Sequence, residues 1–184
     1  VLSPDDLMTN SDALSGAPEG PVVIFDDDHY YMGSLMAELA IASGREIHFV
    51  TPSSMVASWT ENTLEQNRIQ TRLMELGVKL HLSHSLASRR EGQLIVACGY
   101  TGKEEALDCA ALISVTARLP NDQLYQDLKT QESDWADAGI KSLERIGDCD
   151  APNIIAHAVY AGHRYAQELG EVIDRDYPIF KRED

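Results

Sequence analysis

The chain has little cysteine, little basic charge and no long apolar run. Its three cysteines, Cys98, Cys109 and Cys149, are widely spaced and form no CxxC pair. They support neither a disulfide framework nor a closed metal site, and a reduced, cytoplasmic protein is the simplest expectation. Only 15 lysines and arginines stand against 30 acidic residues, a net charge of −15 over 184 residues. That balance excludes nucleic acid as a partner, because phosphate backbones demand a basic surface. It also disfavours an anionic membrane, and the acidity itself reads as a solvated surface. No apolar stretch approaches the roughly 20 residues of a membrane span. The opening Val1-Leu2-Ser3-Pro4-Asp5-Asp6 lacks a Met, a basic n-region and an apolar h-region, so no signal peptide is read there and a piece of something longer is expected.

What is present is ordinary apolar content, 43%, enough to build a core. Residues 1–20 are polar, carry Pro4, Gly16, Pro18 and Gly20, and read as a linker or loop. Val22-Val23-Ile24-Phe25 suits a strand buried on both faces. From Met32 the apolar spacing turns helical through Leu35, Met36, Leu39 and Ala40, and Gly44 stops it. Ile47-His48-Phe49-Val50 is a second strand, completing a βαβ unit of about thirty residues. The pattern then predicts a loop at 52–57, a helix over 61–76 ended by Gly77, and an alternating strand over 78–82. Segments 93–100 and 107–109 flank a Gly-containing turn and read as a small hairpin. Ala111-Leu112-Ile113-Ser114-Val115 is another buried strand. Beyond it come an acidic, helix-rich connection over 122–138, a strand over 140–146 and a last helix from about 152 to 169. The charged tail after Ile173 is expected to extend over a neighbour. Strands alternating with helices argue for the α/β class: a Rossmann-like, doubly wound parallel sheet with a β-hairpin insertion.

Such a sheet binds dinucleotides through G-x-G-x-x-G after the first strand, where glycines let the backbone approach the pyrophosphate. Here that position reads Asp26-Asp27-Asp28-His29-Tyr30-Tyr31-Met32-Gly33. Only Gly33 remains, and it comes late. Each pair of like charges about 4 Å apart costs roughly 1 kcal/mol in water, and more in a shielded cleft. The second strand ends in Thr51-Pro52-Ser53, with no carboxylate for a ribose diol and no Arg for a 2′-phosphate. This unit is therefore read as a degenerate NAD(P)-binding-like domain. Asp26, Asp27, Asp28 and His29 are also suitable ligand types for a cation. Consecutive turn residues rarely converge, so they are read as polar turn residues capping the next helix.

A second nucleotide signal lies in Ile146-Gly147-Asp148-Cys149-Asp150-Ala151-Pro152. A strand ending at Gly147, an Asp for a sugar hydroxyl and amides opening a helix are how FAD-type ligands are held on their phosphate side. Gly147 and Asp148 are the candidate ADP/FAD-type cofactor-binding residues; no catalytic residue and no metal site is assigned. Cys149, near a helix start, is read as a small filler. His157 and His163, six apart on the last helix, and His81 and His84, at a strand end with no nearby Cys or acidic partner, read as surface or packing residues. Ser53 and Ser54 lack a G-x-S-x-G setting. Tyr30, Tyr31 and Trp59 read as core or interdomain contacts.

Together the stretch from Val22 through Gly33, Trp59-Thr60-Glu61-Asn62-Thr63-Leu64-Glu65, Val115-Thr116-Ala117-Arg118-Leu119-Pro120-Asn121, the Gly147–Asp148 segment and Tyr160-Ala161-Gly162-His163-Arg164 resemble the C-terminal region of the trimethylamine/dimethylamine/histamine dehydrogenase group. These are flavin and iron–sulfur members of the old yellow enzyme superfamily. The resemblance implies a parent with an N-terminal TIM barrel carrying FMN, a Cys-bound [4Fe–4S] centre, and two domains like those of disulfide reductases, one of which can bind ADP. Mapped here, 20–115 is the NAD(P)-like domain and 116–184 the C-terminal part of an FAD/ADP-binding-like domain. The barrel and cluster residues are absent from this sequence. The implied role is a non-catalytic part of an amine oxidoreductase, with the TIM barrel as intramolecular partner, a homo-oligomeric parent and a flavoprotein electron acceptor. A stand-alone nucleotide-binding or interaction module is the alternative, and an active NAD(P)H reductase is disfavoured by the Asp26–Asp28 run.

Overall fold

The computed structural model describes residues 1–10 and 12–170. The chain divides into two compact units, Val1–Ala117 and Arg118–Asp184.

The first unit opens with structure where a linker was expected. Helix α1 (Pro4–Thr9) is set by a capping box: the Asp6 amide donates to Ser3 Oγ at 3.3 Å, and the Ser3 amide donates to Asp6 Oδ2 at 2.8 Å. Pro4 sits in its first turn, where the missing N–H costs nothing. Leu7 and Leu14 enter the core, and Leu2 bridges Ile113 in parallel. The polar, Pro- and Gly-containing composition hid these apolar anchors.

The centre of the unit is a parallel sheet of β1 (Val22–Asp26), β2 (Ile47–Thr51), β3 (Lys79–Leu82) and a last strand, Ala111–Val115, in the spatial order β3, β2, β1, last. Val23 pairs with both His48 and Leu112, so β1 is fully flanked. Its faces alternate, as a pleated strand requires. Val22 and Ile24 pack in one cluster with Met36, Ala37 and Ala40 of α2 (Tyr31–Ile41). Val23 packs in the other with Leu94, Val96, Leu107 and Leu112. Burial on both faces is why these strands read as unbroken apolar runs.

Between β3 and the last strand the chain builds a three-stranded antiparallel sheet of β4 (His84–Arg90), β5 (Gln93–Cys98) and β6 (Glu104–Asp108), so Ala111–Val115 becomes β7. The hairpin of β5 and β6 was expected. β4 was not: it reads His-Ser-Leu-Ala-Ser-Arg-Arg, a largely exposed edge strand with little apolar alternation, bulged between Leu86 and Ser88. The helix expected over 61–76 is broken into a 3-10 helix, Ser58–Thr63, and α3 (Gln66–Glu75). Leu64, at φ +61 and 93% exposed, takes the left-handed conformation that no α-helix continues through.

The second unit holds α4 (Gln123–Thr130), α5 (Trp135–Ala138) and α6 (Ile155–Glu168). The strand expected over 140–146 does not form. No other strand exists among the described residues of this unit to accept its backbone hydrogen bonds, and a strand without a ladder is not stable. The last helix starts at Ile155, so Pro152 precedes it rather than opening it. The expectation for the tail lies outside the described residues. The α/β class, with a Rossmann-like parallel sheet and an antiparallel insertion, stands as expected. Among the described residues no helix is long and apolar enough to cross a membrane.

Candidate functional site

The turn after β1 is where a dinucleotide domain presents its amides to pyrophosphate. Here the chain fills that position itself. Asp26 is fully buried, and its Oδ1 accepts the N–H groups of Asp28 and His29, each at 3.3 Å. The other carboxylate oxygen is buried with no partner. Burial pushes the Asp26 pKa up to about 7, against the two amide hydrogen bonds that favour the anion. Asp27 and Asp28 point their charge budget outward: both are exposed, and Asp27 meets His29 Nε2 at 3.5 Å. The three carboxylates therefore do not converge. They do not cap α2 either, whose N-cap Tyr30 makes no side-chain cap bond. Among the described residues no group of three His, Cys, Asp or Glu could hold a metal ion.

Two neighbours show how closely the turn is packed. A Cβ on Gly33 would stand 2.5 Å from Asp26 Cγ. Gly33 keeps the role of the last fingerprint glycine, close approach of helix to strand, but the atom it makes room for is a carboxyl. His29 adopts φ +61, the left-handed conformation that a fingerprint glycine would supply without strain. Thr51, at the end of β2, is buried and accepts the Ser53 amide at 3.2 Å.

The Gly147–Asp148 turn is built differently. Ile146 is extended, Gly147 turns the chain at φ +66, and one turn of 3-10 helix runs to Cys149. A Cβ on Gly147 would lie 3.5 Å from Ala158 Cβ, so the turn rests directly on α6. Arg145 clamps the segment by pairing with Asp122, reaching Asp150 at 3.4 Å and stacking over Tyr125 at 4.7 Å. Asp148 is exposed, its nearest donor being the Asn153 amide at 3.5 Å. The N-cap of α6, Ile154, offers no side-chain acceptor to the helix amides. The arrangement leaves an exposed carboxylate beside a helix start without a side-chain cap, chemistry suited to a sugar hydroxyl and a phosphate. His157 and His163 are exposed on α6. Trp59, read as a contact residue, is 60% exposed, whereas Tyr30 and Tyr31 are half-buried and packed edge-on at 4.4 Å.

One cluster escaped the sequence. His84 has a cysteine opposite it: Cys98, its registered partner across β4 and β5. His81 stacks on His48 at 5.1 Å, with a hydrogen bond of 2.9 Å between Nδ1 of His48 and Nε2 of His81. Glu46, which only accepts, takes the Nε2 proton of His48 at 2.7 Å. Burial, then the neighbouring His48, holds the His81 pKa below its ordinary value. The pairing depends on β4, the strand with no signal of its own.

A parallel sheet in this order with an antiparallel insertion defines a domain with the fold of the dinucleotide-binding domains. The comparisons with known proteins narrow this. The chain is 29% identical over 202 residues to dimethylamine dehydrogenase of Hyphomicrobium sp. (strain x), covering all of this chain and 27% of that protein. It is 45% identical to histamine dehydrogenase from Rhizobium sp. 4-9, with a TM-score of 0.84 over 99% of this chain and 28% of that one. It is 31% identical to 6-hydroxypseudooxynicotine amine oxidase from Pseudomonas geniculata N1, with a TM-score of 0.76 over 92% of this chain and 24% of that one. No protein-family model matches. The chain is thus homologous to enzymes of the trimethylamine dehydrogenase group, and the resemblance to their C-terminal region is borne out. It spans about a quarter of the length of these relatives.

Proposed function

We propose that this chain is the non-catalytic, C-terminal part of an FMN- and [4Fe–4S]-containing amine dehydrogenase, with a structural role and a share in an ADP site. The observation that carries the reading is the match of nearly the whole chain to a 28% portion of histamine dehydrogenase, at 45% identity. The residues on this chain do not fit a [4Fe–4S] centre. Cys98 ends β5, Cys109 follows β6 with its thiol donating to the Ala111 carbonyl, and Cys149 lies in the other unit. The FMN, the cluster and the amine site therefore belong to the rest of the parent, with a TIM barrel as the intramolecular partner. The parent is a cytoplasmic homo-oligomer that passes electrons to a flavoprotein acceptor.

For ADP the residues do fit. Bound there, ADP supplies a diphosphate anion and a ribose and takes no part in redox chemistry. Asp148 would accept a ribose hydroxyl, Gly147 would let the backbone turn closely beneath it, and the amides opening α6 would face phosphate. On this reading 116–184 is the returning part of an FAD-like domain and 20–115 an NAD(P)-like domain whose own phosphate turn is occupied by Asp26. That occupation, a carboxyl group already on the amides, argues against an NAD(P)H reductase.

The test is the native protein from its source cells, detected with an antibody to this chain. A species several times the 20.3 kDa of this chain, with flavin and iron–sulfur absorbance, supports the reading. A colourless protein of about this mass overturns it and leaves a stand-alone nucleotide-binding or interaction module. Saturable NADH binding by the purified chain would instead restore the reductase.

A further inference from the structure

The antiparallel insertion brings together a thiol, an imidazole and a cavity that the amine dehydrogenase reading does not use. His84 opens β4 and Cys98 ends β5, directly opposite in register. Residues so paired hold their Cβ atoms about 5 Å apart. Both line a cavity of about 340 Å³, with Thr101, Lys103, Glu104 and Glu105. Cys98 is half-exposed, and hydrogen bonding from the Thr101 hydroxyl and from the N–H groups of Thr101 and Tyr100 favours its thiolate. These donors, with a smaller contribution from His84, bring its pKa down to about 7. His84 is oriented as a base. Its Nδ1 lies 2.7 Å from the Leu82 carbonyl oxygen, which only accepts, so in the neutral ring Nδ1 carries the proton and Nε2 keeps its lone pair. His81 stands edge-on to His84 at 6.4 Å. The charged groups facing the thiol are therefore His84, Lys103, Glu104 and Glu105, with His81 behind.

We propose that Cys98 and His84 form a nucleophile–base pair that reacts with small disulfides, making Cys98 a reversible modification site. The Cys98 thiol gives its proton to His84 Nε2. The thiolate attacks one sulfur of R–S–S–R, forming the Cys98–S–S–R bond as the original S–S bond breaks. The departing RS⁻ takes the proton from His84 and leaves as RSH. Cys98 is oxidised and the leaving sulfur reduced, so the small disulfide is the only oxidant required. Two carboxylates against one ammonium at the cavity, on a chain of net charge −15, favour a cationic disulfide over an anionic one.

The experiment exposes the full chain to cystamine from pH 5.5 to 9 and follows each cysteine by peptide mass spectrometry. At pH 7 a thiol titrating near 7 is half ionised, against about 3% for an ordinary thiol. Its lower intrinsic nucleophilicity offsets about fivefold of that advantage, leaving Cys98 about threefold faster than an ordinary thiol at pH 7 and about sixfold faster at pH 6. The expected result is a Cys98 rate that levels off above pH 7.5 and exceeds that of Cys149 at pH 6. Cys109, whose thiol burial pushes up, reacts more slowly than Cys98. Oxidised glutathione, an anion, reacts more slowly than cystamine. Thr101→Val moves the Cys98 midpoint upward, and His84→Gln moves it upward by less and lowers the rate at pH 6. A Cys98 rate no greater than that of Cys149 at pH 6, or still climbing tenfold per unit at pH 8, overturns the site. An unchanged profile in His84→Gln overturns the role of the imidazole, and a faster reaction with oxidised glutathione overturns the preference for a cation.

Discussion

At Asp26, burial and hydrogen bonding act in opposite directions on one carboxyl, and burial dominates. An unfolded Asp titrates near 3.9, whereas the folded group titrates at about 7. Between about pH 4 and 7 the folded chain thus holds a proton that the unfolded chain has released. Stability declines as pH rises through that window, and the loss is complete above it. The other groups at this turn, Asp27, Asp28 and His29, leave that direction intact, since the two aspartates raise the pKa further. Asp26→Asn keeps an acceptor for the Asp28 and His29 amides and removes the charge. It is expected to stabilise the fold by about 2–3 kcal/mol more at pH 8 than at pH 5, measured by urea unfolding at both. An equal effect at the two pH values would mean that the carboxyl is not the titrating group. Gly33→Ala tests the same packing without a charge change. With its Cβ 2.5 Å from Asp26 Cγ it is expected to cost about 1–3 kcal/mol, and an Asp26→Ala background relieves only part of that cost, because it removes Cγ and Oδ1 but keeps the Asp26 Cβ 2.8 Å from the added methyl. The run of aspartates and the displaced glycine were legible in the sequence. That one of them turns inward onto the amides was not, because only the fold places α2 over β1.

At the scale of elements, legibility followed burial. β1, β2 and β7 are covered on both faces and announce themselves as apolar runs. β4 is exposed along most of its length and carried no such pattern. The Cys98–His84 pairing depends on it and was invisible for the same reason. Segment 140–146 carries Ile140, Leu143 and Ile146, spaced every third residue rather than alternately, and has no partner strand among the described residues of its unit. Helix α6 shows the same dependence on surroundings: Ile155, Val159 and Tyr160 are 82%, 65% and 69% exposed, and no residue of the helix is buried. Its stability then leans on local terms, and its N-cap is the weakest of them. Ile154→Asp is expected to add a cap worth about 1 kcal/mol to the helix, seen as a higher thermal midpoint by circular dichroism at 222 nm. The same carboxylate would sit on the amides proposed to face phosphate, so ADP affinity of the parent enzyme, measured by calorimetry, is expected to fall tenfold or more, roughly the 1.4 kcal/mol that a single repelling charge exceeds in a shielded cleft. A stabilised helix with undiminished ADP affinity would remove α6 from the nucleotide site while leaving the capping argument in place.

Over the whole molecule, the excess of acid sets the electrostatic balance. With 30 acidic side chains and 15 basic ones, at least half of the carboxylates have no cation of their own to pair with. The pairs that do form among the described residues include exposed neighbours on single helices, such as Arg68 with Glu65 at 3.0 Å and Arg164 with Glu168 at 2.7 Å. Such pairs contribute a few tenths of a kcal/mol each and weaken as salt rises. The unpaired carboxylates repel one another across the surface, and this repulsion is also screened by salt. The two effects oppose each other, and a twofold excess of acid makes repulsion the larger. Raising sodium chloride from 20 mM to 0.5 M shortens the screening length from about 20 Å to about 4 Å, below the spacing of most surface charges. The urea midpoint of the chain is therefore expected to rise with salt at pH 8, where every surface carboxylate is ionised. At pH 4, where many carboxylates are protonated and the net charge is smaller, the rise shrinks. A midpoint that falls with salt at pH 8 would mean that the ion pairs, and not the acid excess, govern how this surface bears on stability.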